Sequence, residues 1–116
     1  MLGVSQYLTS NALDQTLGFV LAMPALSEIV FTIVPSDETF RPEDSAWVSA
    51  LTKRLAEIGE PWLTRPMPSQ LAEKLKGLGF SMVTHLTPAE ANALYFQGRS
   101  DGLQASETEL MMRAIV

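Results

Sequence analysis

Glu28-Ile29-Val30-Phe31-Thr32-Ile33-Val34 is apolar on both faces of an extended chain, and it restricts the fold more than any other stretch. In a strand, Ile29, Phe31 and Ile33 point one way and Val30, Thr32 and Val34 the other, with β-branched side chains on each side. Such a strand is stable where helices cover both faces of its sheet. The chain is therefore expected to be α/β, with this segment inside a helix-covered sheet.

The flanking periodicities supply the helices. Thr9 is a candidate N-cap, followed by Leu13, Leu17, Val20 and Leu21 at helical spacing until Pro24. Pro42 opens a second helix with Trp47, Leu51, Leu55 and Ile58 on one face, and Gly59 sits at its C′ position. A connection from Gly59 to Met67 follows. Pro68 then starts a third helix through Leu71, Leu75 and Leu78, with Lys74 and Lys76 near the negative end of its dipole. Phe80 to Leu86 reads as a second strand. Thr87-Pro88-Ala89-Glu90 is a capping box with proline at N1, opening a short helix to about Tyr95. Gln97 to Thr108 is long for a connecting loop. From Glu109 to Val116 the residues alternate as in a strand with one more exposed face. The order is helix, strand, helix, helix, strand, helix, strand. It suits a single α/β domain over 1–116, its first two strands parallel and joined by a right-handed crossover.

Composition narrows the chemistry. With 116 residues there is room for one domain and a modest core. Net charge is −5, and the eight basic residues are scattered, so no stripe exists to displace counterions from a nucleic acid. No cysteine is present, which removes disulfides and thiolate chemistry. One histidine without metal-ligand spacing argues against a bound metal. The apolar runs are too short to span a bilayer and no signal peptide is evident, so the expectation is a cytoplasmic protein with no membrane partner.

Several short segments carry a resemblance. These are Gly3-Val4-Ser5-Gln6-Tyr7-Leu8-Thr9, Gly59-Glu60-Pro61-Trp62, Leu78-Gly79-Phe80, and Tyr95-Phe96-Gln97-Gly98-Arg99-Ser100-Asp101-Gly102-Leu103. In this order they resemble the C-terminal half of bacterial relatives of leucine carboxyl methyltransferase, which are S-adenosylmethionine-dependent O-methyltransferases. The resemblance implies the C-terminal part of a Rossmann-like class I methyltransferase fold, with the last strand inserted antiparallel. It also implies methyl transfer to a hydroxyl or carboxylate of a small molecule. Two positions depart from the family pattern. Leu2 stands where relatives carry a carboxylate, and Met67 where they carry a capping aspartate. The glycine-rich strand-to-helix turn that cradles the cofactor in such folds is absent, so the chain alone is expected neither to bind S-adenosylmethionine nor to act as an enzyme. The alternative is a non-catalytic interaction or dimerisation module derived from a methyltransferase.

Four residues are candidates for substrate contact, each with a structural alternative. Tyr7 offers a hydroxyl, or packs at a helix entrance. Trp62 walls a pocket, or fills the gap between a loop and two helices. Tyr95 lies in the longest matching segment. Arg99 aims its planar fork at a carboxylate, or pairs with Asp101 to order its own turn. His85 has no evident partner. By the same resemblance the strand at Ile29–Val34 lacks the preceding strand it would pair with. That exposed edge suggests a homodimer or a complementary N-terminal half as partner.

Overall fold

The computed structural model describes residues 1–116. Helix α1 (Ser10–Leu21) leads into strand β1 (Glu28–Ile33), then α2 (Pro42–Glu57), α3 (Pro68–Leu78), β2 (Met82–Leu86), α4 (Pro88–Ala91) and β3 (Leu110–Ile115). Local chemistry sets most boundaries as read. The Thr9 hydroxyl accepts the Ala12 amide at 3.1 Å, while Met67 offers α3 no side-chain cap. Thr87 and Glu90 form the reciprocal capping box of α4. Gly59 takes φ +82°, a backbone region that disfavours side chains, and so lets the chain leave α2. Beyond α4 the helix does not stay regular: Asn92–Phe96 widens into a π-helical turn.

β3 is the middle strand. It pairs antiparallel with β1, Phe31 facing Met112, and antiparallel with β2, His85 facing the same Met112. The sheet order is β1-β3-β2, so β1 and β2 run parallel to each other without touching. The last strand is thus antiparallel to both others, as expected, and it lies between them.

One face of this sheet holds the core. Phe31 and Ile33 from β1 and Met112 and Ala114 from β3 pack against Leu13, Leu17 and Val20 of α1 and Leu71 and Leu75 of α3, with Phe80 closing the end. The alternation expected in β3 is seen: Met112 and Ala114 are buried, Met111 and Arg113 exposed.

The other face corrects the first expectation. β1 is fully buried only from Phe31 onward, while Glu28 is exposed and Val30 partly so. Val30, Met111, Arg113, Thr84 and Leu86 border an open hollow of about 650 Å³ on this side. The apolar pattern of β1 asks for cover on two sides, and α1 and α3 both lie on one. A second correction concerns α2. Its buried residue is Val48, with Leu51 and Leu55 beside it, whereas Trp47 and Ile58 point to solvent. Leu51 and Leu55 of the expected stripe do face inward, while Trp47 and Ile58 at its margin do not, and Val48 takes the centre. Phe80 is buried ahead of β2, which begins only at Met82.

Leu17 is fully buried, and its replacement by alanine is expected to cost about 2–5 kcal/mol in urea melts. Trp47→Ala, on the solvent face of α2, should stay within about 0.5 kcal/mol of the parent protein.

Candidate functional site

The carboxyl end of β1 is where segments distant in sequence meet, and Thr32 is their junction. Its hydroxyl accepts the Gly3 amide at 2.7 Å, and its carbonyl accepts the Ser5 hydroxyl at 2.5 Å. Its backbone N–H donates to the Met1 carbonyl at 3.2 Å. The leading segment is therefore fastened along β1, with Ser5 and Gln6 buried. In α/β sheets the carboxyl ends of parallel strands are where ligands are held. Here the ends of β1 and β2 open on a hollow of about 370 Å³ bordered by Thr32, Leu86, Thr87, Tyr95, Phe96 and Met111. Tyr95 is largely exposed, at 68%.

Arg99 stands on the far side of Phe96, beside a separate hollow of about 370 Å³ with Asn92, Gln97 and Leu103. Its guanidinium binds Asp101 through both ends of the fork, Nε to Oδ1 at 2.9 Å and Nη2 to Oδ2 at 2.5 Å. It also lies 6.0 Å from the centre of the Phe96 ring. Asp101 Oδ1 accepts the Leu103 amide as well. The Arg99 guanidinium, with help from that amide, holds the Asp101 carboxyl below the usual carboxylate range. In this state the Arg99 fork orders its own turn. The π turn supports the loop from its other end, where Asn92 Oδ1 accepts the Ala105 amide at 2.6 Å.

Tyr7 and Trp62 belong to a second neighbourhood. The Gln6 carbonyl accepts the Leu63 and Thr64 amides, and the Thr64 hydroxyl donates to the Leu8 carbonyl. These bonds draw the Gly59–Met67 connection onto the leading segment. Tyr7 then borders an open hollow of about 580 Å³ with Gly59, Glu60, Pro61 and Leu63. Trp62 turns away from it. Its ring lies 6.0 Å from the guanidinium carbon of Arg65, which also lies 5.8 Å from the Phe40 ring. Arg65 donates to the Pro35 carbonyl at 2.9 Å and to Asp37 at 2.6 Å, tying the end of β1 to this connection. Three buried polar atoms in this region, Gln6 Oε1, Trp62 Nε1 and Arg65 Nε, have no hydrogen-bond partner.

The four candidates thus fall into three places: Tyr95 at the strand ends, Arg99 across Phe96 from it, and Tyr7 with Trp62 beside the Gly59–Met67 connection. Sequence reasoning missed Thr32 and Arg65. The only available signal for Arg65 was a cation three residues after a proline-flanked tryptophan, and stacking across a fold leaves no period to detect.

Neither strand-to-helix turn holds a glycine: β1 exits through Pro35-Ser36-Asp37, and β2 through Thr87-Pro88. No group of three or more acidic, histidine or cysteine side chains is placed to hold a metal ion. No helix is long and apolar enough to cross a membrane.

Comparison with known proteins adds a relative. YktD of Bacillus subtilis (strain 168), named as a candidate S-adenosyl-L-methionine-dependent methyltransferase, is 30% identical over 118 residues. The match takes in 99% of this chain and 38% of YktD, so the chain spans well under half the length of that relative. No family model and no solved structure matches.

Acid should release two local locks. The Thr87 amide, and then its hydroxyl, lower the Glu90 carboxyl, just as Arg99 and the Leu103 amide lower that of Asp101. Folded values depressed below the unfolded range near 4 mean that their stabilisation is complete above that pH and is lost as pH falls through the folded values. In an NMR titration the Thr87 and Leu103 amide signals are expected to hold steady from pH 7 down to the ordinary carboxylate range and to move below it. In Arg99→Gln the Leu103 transition should shift upward in pH, while that of Thr87 should stay in place.

Proposed function

We propose that this chain is the C-terminal portion of an S-adenosylmethionine-dependent O-methyltransferase of the leucine carboxyl methyltransferase-like kind. The observation that carries the reading is the match to YktD along 99% of the chain. The sheet supports it: two parallel strands separated by an antiparallel last strand are what the resemblance implies for this part of a Rossmann-like fold. The substrate presents a hydroxyl or a carboxylate oxygen. Tyr95 borders the hollow at the ends of β1 and β2, while Tyr7 lines a separate hollow and Trp62 packs on Arg65. Arg99 reaches a carboxylate only by exchanging Asp101 for it, a trade between like partners.

The residues present do not fit the cofactor. A dinucleotide or adenosyl group sits against a strand-to-helix turn whose glycines let backbone N–H groups come close. Here those turns carry Pro35 and Pro88, which lack the N–H altogether. Methyl transfer therefore requires a complementary part that brings the cofactor-binding turn, and this chain supplies the substrate side. The chain alone is inactive.

Titration calorimetry with S-adenosylmethionine tests the reading. The isolated chain is expected to give no heat of binding at ligand concentrations up to about 1 mM, where an ordinary cofactor site would be saturated. Binding in the low micromolar range by the monomeric chain would overturn the assignment of the cofactor to another part.

A further inference from the structure

The sheet register gathers one set of side chains at the ends of β1 and β2. Thr32 pairs with Met111, and Met111 with Leu86, so these three share a face. It is the face opposite the core, since Met112 and Ala114 point the other way. Glu109 stands two residues before Met111, just ahead of β3, and borders the 370 Å³ hollow together with Thr32, Leu86, Tyr95, Phe96 and Met111. No other residue lining this hollow carries a formal charge. The whole lining lies within residues 32 to 111, so it is internal to the chain.

Glu109 is exposed and takes part in none of the protein's ion pairs. Arg99, the cation closest to the hollow in sequence among the Tyr95–Leu103 residues, is held at both ends of its fork by Asp101 and borders the other hollow. A carboxylate entering here would meet the Glu109 charge with no cation to offset it. A hydroxyl meets no such repulsion. It donates its hydrogen to the Glu109 carboxylate, a charge-assisted bond, and its oxygen still accepts. Thr32 offers a donor on the same face: it is 8% exposed, and its hydroxyl accepts the Gly3 amide while keeping its own hydrogen. An ammonium would also be drawn to Glu109. However, it brings three donors and a firmly held hydration shell into a hollow walled by Leu86, Phe96 and Met111.

We infer that Glu109 sets the ligand class of this hollow: a small molecule with an apolar, ring-sized body against Tyr95, Phe96 and Met111 and a neutral hydroxyl that donates to the Glu109 carboxylate. The hollow is at the small end of the range for ligand sites, about 300–1,000 Å³, which suits one ring. That this ligand is the substrate rests on the function proposed above, whose two oxygen nucleophiles are thereby narrowed to the hydroxyl. The ligand class itself rests on the hollow alone.

The test titrates the full chain with para-cresol, para-toluate and para-methylbenzylammonium, which share a ring and differ in the polar group. NMR shifts of the Met111 methyl and of the Thr32 and Ala105 amides report the hollow. para-Cresol is expected to saturate these shifts at neutral pH, with para-toluate about tenfold weaker. Glu109→Gln keeps an acceptor oxygen and removes the charge at a position without an ion pair, so the fold stays intact. In it the two probes are expected to bind within about threefold of each other. A merely structural role for Glu109 would weaken every probe alike and keep their order. Arg99→Gln is expected to leave the ranking as it is. The proposal is overturned by the absence of saturable shifts at the hollow, by para-toluate or para-methylbenzylammonium binding more tightly than para-cresol, or by an unchanged ranking in Glu109→Gln. S-adenosylmethionine binding by the free monomer would overturn the assignment of the cofactor to another part and leave this ranking standing. Equal binding of the probes would overturn the ranking and leave that assignment standing.

Discussion

Every strand pairing in this protein passes through β3. Neither β1 nor β2 touches the other, so without Leu110–Ile115 there is no sheet, only two separate extended segments. The same strand provides Met112 and Ala114 to the core beneath α1 and α3. Its hydrogen bonds and its side chains are therefore committed together. The Glu28–Arg113 ion pair joins residues 85 apart in sequence, which shows how non-local the closure is. Such pairings bear a large loop-closure cost before any contact repays it.

A one-sided core follows from this arrangement. α1 and α3 reach the sheet from the same side, and the strand sequences do not match that outcome equally. β3 is half apolar and half polar, as a one-sided sheet requires. β1 is apolar on both sides, and its second side is covered at Thr32 but only partly at Val30.

The devices decided within a few residues were legible in the sequence. The Thr87–Glu90 box, the Thr9 cap and the β3 alternation all depend on neighbours in the chain, and each stands where it was read. What depended on distant partners was not legible. The Trp47 stripe misled because size suggested burial, whereas smaller Val48 is the residue the fold encloses. The Met1 bond to Thr32 involves a single residue and has no period. The candidate residues were legible as segments rather than as a site. Tyr95, Arg99, Tyr7 and Trp62 lie in matching runs, yet the runs fold into three hollows, and the junction that relates them, Thr32, looked like one more strand residue. Arg65 stayed hidden because a cation between two rings is a tertiary arrangement.

The π turn at Asn92–Phe96 has a consequence for lineage. Such a turn is a regular helix with one residue inserted. Loss of any one residue between Asn92 and Phe96 would let the helix close into ordinary α geometry at little local cost. Because a π turn takes up its extra residue within nearly the same rotation, the chain beyond the deletion would keep its direction relative to α4 while the side chains inside the turn changed facing. The change would fall on the segment that carries Asn92, whose side chain accepts the Ala105 amide, and Phe96, which borders two hollows.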